Sequence, residues 1–213
     1  MSQASESLFL PLTLELTRAE RALAYLIGNL RWKENRAVGI RDLRVHDATK
    51  DIDQQGIAAE LAFARAANVY PDLCTDPRAG GVDCVLPSGV TVDIKSTTRE
   101  KGNLIAPVSK HKNPTHADIS VLVKGQFPLT REGKIDYARP ARMTIVGWAW
   151  TKDLLDPSTI RQLRTPTHFI DRDQLHQVLP LVVAPDGFEK SEMAVDQFCW
   201  ALGLRVAELD EAR

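Results

Sequence analysis

The chain is short of the features that mark a membrane, secreted or strongly basic protein. No apolar run approaches the ~20 residues needed to span a bilayer. Its opening residues, MSQASESLFLPLTLEL, lack the positive n-region and long apolar stretch of a secretory leader. Cysteine is scarce: Cys74, Cys84 and Cys199 are odd in number and share no metal-type spacing, so they read as reduced thiols. These absences together predict a cytoplasmic protein with no membrane contact. Net charge is nearly absent too, with 27 Lys and Arg against 28 Asp and Glu. No overall basic field draws nucleic acid in, so positive charge for that purpose has to be local. Internal repeats, coiled-coil heptads and low-complexity tracts are missing. What is present, 213 residues at 44% hydrophobic and 26% charged, suits one globular domain over 1–213 with a full core.

The most informative stretch is 82–97, VDCVLPSGVTVDIKST. Val90, Val92 and Ile94 alternate with Thr91, Asp93 and Lys95, the period-two pattern of a half-buried strand. Asp93 and Lys95 therefore share a face opposite the valines. Residues 82–86 form a second β-rich run, and Pro87-Ser88-Gly89 is turn chemistry between the two. A three-residue loop sets Leu86 against Val90 and, counting back, Asp83 across from Asp93. Cross-strand Cβ atoms lie about 4.5–5.5 Å apart, where like charges repel. Side-by-side carboxylates with a lysine two residues on suit a hard cation such as Mg2+, which takes carboxylate oxygens and keeps several waters. Lys95 would then stabilise charge on a phosphorane-like transition state, or position and deprotonate water. The plainer alternative is the solvent face of a strand. A second acid-x-Lys triplet, Glu132-Gly133-Lys134, lies in a polar turn-like stretch and is given no role.

Residues 52–68, IDQQGIAAELAFARAAN, form a helix candidate in which Ile57, Leu61 and Ala64 recur at i, i+4 and i+7. Ala58 and Ala62 widen that stripe, and Glu60 sits beside it, partly buried. Glu60 either pairs with Arg65 or reaches the carboxylate pair as a third acid.

Helix-borne Glu60, Asp83, and Asp93-Ile94-Lys95 together resemble the active-site signature of the PD-(D/E)XK nuclease superfamily, over roughly residues 50–150. Glu60 matches the first-helix glutamate, Asp83 the first aspartate, Asp93 the D/E and Lys95 the lysine. Val82 stands where the name-giving proline would be. The 56–72 and 80–97 segments are also similar to small phage or prophage-type nucleases. The resemblance implies an α/β fold with a restriction-endonuclease-like core running helix, strand, strand, strand, helix, strand. It implies a DNA endonuclease using Mg2+ or Mn2+ held by Asp83, Asp93, Glu60 and the main-chain carbonyl of Ile94. The alternative is a catalytically inactive nucleic-acid-binding module of the same fold.

Around this core the pattern predicts further elements. Leu12, Leu14 and Leu16 suggest a short strand, and the capping box Thr17-Arg18-Ala19-Glu20 opens a helix over 17–37 with Leu23, Leu26, Ile27 and Leu30 as its apolar face. Arg31, Lys33 and Arg36 suit a helix C-terminus, with a DNA-backbone contact as the sharper reading. Residues 38–50 read as irregular. The segment 96–116 is the most basic, and Arg99, Lys101, Lys110 and Lys112 are the candidate phosphate contacts, with His111 and His116 as surface histidines. Residues 118–124 read as a strand covered on both faces, 143–150 as a central strand, 151–155 as a helical turn and 167–170 as a last strand. Asp171 is expected to cap a helix reaching residue 179. A terminal helix over 191–211 either packs back or forms a homodimer interface. Cys84, Trp148, Trp150 and Trp200 are expected in the core. The fold expected is thus a mixed central β-sheet flanked by helices, with extra N- and C-terminal helices.

Overall fold

The first helix forms where its capping box predicts. In a computed structural model describing residues 11–38, 49–76, 81–108 and 116–178, a short strand β1 (Leu12–Glu15) leads into α1 (Arg18–Ala37). The Glu20 N–H donates to Thr17 Oγ1 at 3.2 Å, and the Thr17 N–H returns to Glu20 Oε2 at 2.7 Å. The buried face of α1 is not the leucine stripe. Ala24, Ile27, Gly28 and Arg21 are buried, whereas Leu26 and Leu30 are exposed. Gly28 explains the rotation. A Cβ there would lie 2.6 Å from the Gln54 Cα of α2 (Thr49–Ala66). Close backbone approach between helices needs small residues at the crossing, and the leucines are left on its flank.

Helix α2 is apolar almost all round. Ile57, Ala58, Ala59, Leu61, Ala62, Phe63, Ala64 and Ala66 are all buried, because α1 covers one side and a sheet covers the other. That sheet has the order β1-β6-β5-β3-β2, with β2 at Cys84–Val85, β3 at Thr91–Thr97, β5 at Ile119–Gln126 and β6 at Arg142–Trp150. β3 and β5 run parallel and the other neighbours antiparallel, so the sheet is mixed as expected. Asp118 fixes the parallel pair: its Oδ2 accepts from the Thr91 N–H at 2.9 Å and from Thr91 Oγ1 at 2.7 Å. β5 is buried on both faces, as its continuous apolar run predicts. On one face Val92, Ile94, Val121 and Val123 join the main core with α2. On the other, Leu122 and Ala149 meet Leu104, Ala106 and Leu154 in a smaller cluster.

That second cluster comes from elements the pattern does not reveal. β4 (Leu104–Pro107) and β7 (Ile160–Gln162) flank the expected β8 (Pro166–Ile170) in a separate sheet of order β4-β8-β7. Among the described residues the crossover from β3 to parallel β5 runs through β4, and residues 127–141 join β5 to β6 with no helix. The implied helix between third and fourth strands is therefore not found there. The mixed α/β architecture holds, with α2 on one face and the one-turn α3 (Thr151–Leu154) toward the second cluster. Asp171 opens only a 3-10 turn, Arg172–Gln174, since Leu175 returns to extended geometry and its side chain packs on the second cluster. Cys84 and Trp148 are buried, and Trp150 is half-buried against Trp148 at 5.3 Å between ring centroids. The helix expected at 191–211, with Cys199 and Trp200, lies outside the described residues. No helix among those described is long and apolar enough to cross a membrane.

Candidate active site

The hairpin of β2 and β3 follows the register expected from its turn. Cys84 faces Val92 and Val85 faces Thr91. The Leu86 N–H donates to Val90 O at 2.9 Å, and Gly89, at φ +85°, takes the left-handed turn position that glycine accepts without strain. One step back the paired register stops: the Asp83 N–H donates to Val92 O at 2.8 Å, so Asp83 shares Val92 with Cys84 in a bulge-like irregularity and does not stand directly across from Asp93 as the count from the turn predicts. The Asp83 carboxylate then takes over from the ladder: its Oδ2 accepts from the Ile94 N–H at 2.6 Å. A residue in a strand sends its N–H and C=O to the same edge, so the Ile94 carbonyl lies on the Asp83 side of β3.

Asp93 and Lys95 occupy the same face, two residues apart. Lys95 Nζ meets Asp93 Oδ1 at 2.7 Å. Asp93 itself is only 5% exposed. Its other oxygen, Oδ2, is buried and has no hydrogen-bond partner. The ladder neighbour Ser120 could have served, but its hydroxyl bonds to Thr151 Oγ1 at 3.1 Å. A buried carboxylate oxygen without a protein donor is costly.

Glu60 is buried on α2, and its partner is not Arg65. Arg31 of α1 donates from Nη1 to both Glu60 oxygens at 2.9 and 3.1 Å, from Nη2 to Asp72 O at 2.6 Å and from Nε to Cys74 O at 3.0 Å. The guanidinium thus joins Glu60 to the 72–74 loop, and that loop is tied to the hairpin by the Asp72 N–H donating to Asp83 O at 2.8 Å. Arg65 turns instead to Glu20 Oε2 at 2.9 Å and Glu15 O at 2.7 Å. Arg31 is therefore committed inward, to Glu60 and the 72–74 loop. The sequence does carry a faint signal for this. Arg31 lies three residues after Gly28, on the face that glycine brings close to α2.

The charges meet at Asp83. Burial raises its pKa most, and the nearby Glu60 and Asp93 raise it further; the Ile94 N–H and Lys95 pull the other way, leaving it pushed up from 3.8 to about 8. The Cys84 thiol is pushed up to about 12 by burial and by Asp83 and Glu60. Strand alternation puts Asp93 and Lys95 on the face of the second cluster and α2 on the other. Asp83 immediately precedes the edge strand β2 and feels the charge of both Glu60 and Asp93. The acids share one field without forming a ready-made cage: among the described residues no three His, Cys, Asp or Glu side chains are grouped as metal ligands. Beside Asp83 lies an open groove of about 570 Å3, lined by Tyr70, Asp72, Val82 and Cys84 among others, with Tyr70 almost fully exposed.

The basic contacts divide. Arg99 and Lys101 are exposed in the turn after β3, and Lys110, Lys112 and His111 lie outside the described residues. Two cations nearby were not anticipated: Lys124 on β5 binds Glu100 at 2.8 Å, and Arg172 Nη1 donates to Glu100 O at 2.6 Å. The Glu132-Gly133-Lys134 triplet is an exposed turn with Gly133 at φ +76°.

Among known proteins, a family model described as a family of unknown function (DUF5843) matches residues 10–188. No curated protein and no solved structure matches the chain.

Proposed function

We propose that this chain, which belongs to the family of unknown function DUF5843, is a metal-dependent DNA endonuclease of the PD-(D/E)XK type. The observation that carries the reading is Asp93: a buried carboxylate with one oxygen on the Lys95 amine and the other without a protein donor, next to Ile94, whose N–H the Asp83 carboxylate accepts. Asp83 adds a second acid, whose pKa is raised by burial first and then by the negative charge of Glu60 and Asp93. Both features fit a hard divalent ion, which needs only one or two protein carboxylates beside water and phosphate oxygens. Asp83, Asp93 and the Ile94 carbonyl would hold Mg2+ or Mn2+, with Glu60 in support. An ion bound there polarises a phosphodiester and lowers the pKa of a coordinated water. Lys95, whose amine here meets Asp93 at 2.7 Å, would donate to the attacked phosphate or to the water with an ion held at the carboxylates. Arg31 acts as a positioning residue by fixing Glu60 and the loop beside Asp83.

The experiment is incubation of the purified protein with plasmid, linear duplex and branched DNA, with and without Mg2+ or Mn2+. Cleavage that needs the ion and disappears in Lys95→Ala supports the reading; equal cleavage by wild type and Lys95→Ala sinks it. A second reading, a binding module of the same fold without catalysis, is favoured by one observation: Glu60 is clamped by Arg31. DNA binding that persists where calorimetry detects no Mn2+ uptake would select it.

A further inference from the structure

We infer that Lys124 is a second phosphate-binding position beside Lys95, occupied by the Glu100 carboxylate until a nucleic-acid backbone displaces it; the inference rests on the nuclease reading above. In the parallel ladder Lys95 lies across from Leu122, and Thr97 across from Lys124. Ladder partners project to one face, so Lys95 and Lys124 stand diagonally on the same side of the sheet as Asp93. Diagonal neighbours in a sheet are ~7–8 Å apart, a separation that successive phosphates of one strand can bridge.

The two partners of this ion pair are unequal. The Lys124 side chain is only 12% exposed, against 77% for Glu100. The amine is thus a fixed point of the sheet, and the acid is its outer cover. Backbone contacts hold the cover in place. The turn after β3 folds back so tightly that a Cβ on Gly102 would lie 2.5 Å from the Thr97 side chain. Arg172 secures the Glu100 carbonyl at 2.6 Å. Arg99 and Lys101 flank Glu100 in the chain, and both are exposed. An exposed carboxylate binds a lysine only weakly. A phosphate of the same charge, with more acceptor oxygens, can exchange for it and find Arg99 and Lys101 beside it.

The test is fluorescence anisotropy with a labelled duplex of about 30 base pairs, and with one of its single strands, in EDTA, at salt from ~50 to ~200 mM. Glu100→Gln removes the competing charge and should tighten binding ~3- to 10-fold; Lys124→Met should weaken it and reduce the slope of log affinity against log salt by about 1. Because Glu100 is exposed, Glu100→Gln keeps the fold and carries the test even if Lys124→Met does not. A wild-type protein that cleaves DNA while Glu100→Gln binds no tighter overturns the Lys124 position and leaves the nuclease reading standing. A wild-type protein that neither binds nor cleaves either DNA overturns both.

Discussion

Replacing Asp83 with asparagine tests the electrostatics of the hairpin without any substrate. The side-chain oxygen of asparagine can still accept the Ile94 N–H, so the change removes a titrating group and little else. In the folded chain Asp83 keeps its proton to about pH 8, whereas the unfolded chain releases it near 3.8. Between those values the folded state binds the extra proton, and stability falls as pH rises. From pH 5 to pH 8 the slope of 1.36 kcal/mol per pH unit sets a ceiling of about 4 kcal/mol. Asp83 is half-buried and keeps some contact with water, so screening reduces the expected loss to ~2 kcal/mol. Urea unfolding in EDTA at pH 5 and pH 8 reads this directly. Wild type should lose ~2 kcal/mol more than Asp83→Asn across the interval. Millimolar Mn2+ at pH 8 should restore wild type and leave the variant unchanged, because the ion favours the carboxylate. Equal pH dependence in the two proteins would refute a raised Asp83 pKa, and with it the burial of that carboxylate near Glu60 and Asp93.

Two further substitutions probe the scaffold. Arg31→Ala strands Glu60 as a buried, uncompensated charge and should cost ~2–4 kcal/mol in urea unfolding; Arg31→Ala with Glu60→Leu should recover much of that, and no recovery would mean the pair is not the cause. Gly28→Ala drives a Cβ to within 2.6 Å of the Gln54 backbone, so α1 must lift from α2, and thermal unfolding should show ~1–3 kcal/mol lost rather than the small gain a helix-favouring alanine brings elsewhere.

Much of the hairpin and its sheet was legible because local chemistry decided it. The turn Pro87-Ser88-Gly89 sets the register that pairs Cys84 with Val92, and the unbroken apolar run of β5 forecasts burial on both faces. The capping box located α1 to within a residue. Its apolar face was misread because leucines are visible to a periodicity argument and a close contact at Gly28 is not. The pattern leaves Glu60 either pairing within its own helix, at Arg65, or reaching the carboxylate pair as a third acid. Its partner Arg31 comes from another helix, 29 residues away, and chain spacing says nothing about such a meeting. The second sheet escaped notice because β4 and β7 are only four and three residues long, too short for a period to register. The Lys124–Glu100 pair was hidden for the same reason as Arg31, since only the parallel register of β3 and β5 brings Lys124 to the face of Lys95.

The most direct measurement is a calorimetric titration of Mn2+ into the wild-type protein and Asp93→Asn at pH 8. Wild type should take up one ion per chain and release about half a proton from Asp83, which is about half protonated at that pH, while Asp93→Asn, with its unpartnered oxygen no longer part of a carboxylate, should take up none. Uptake by the variant equal to that of the wild type, or no uptake by either, would contradict an ion-binding centre at Asp83 and Asp93.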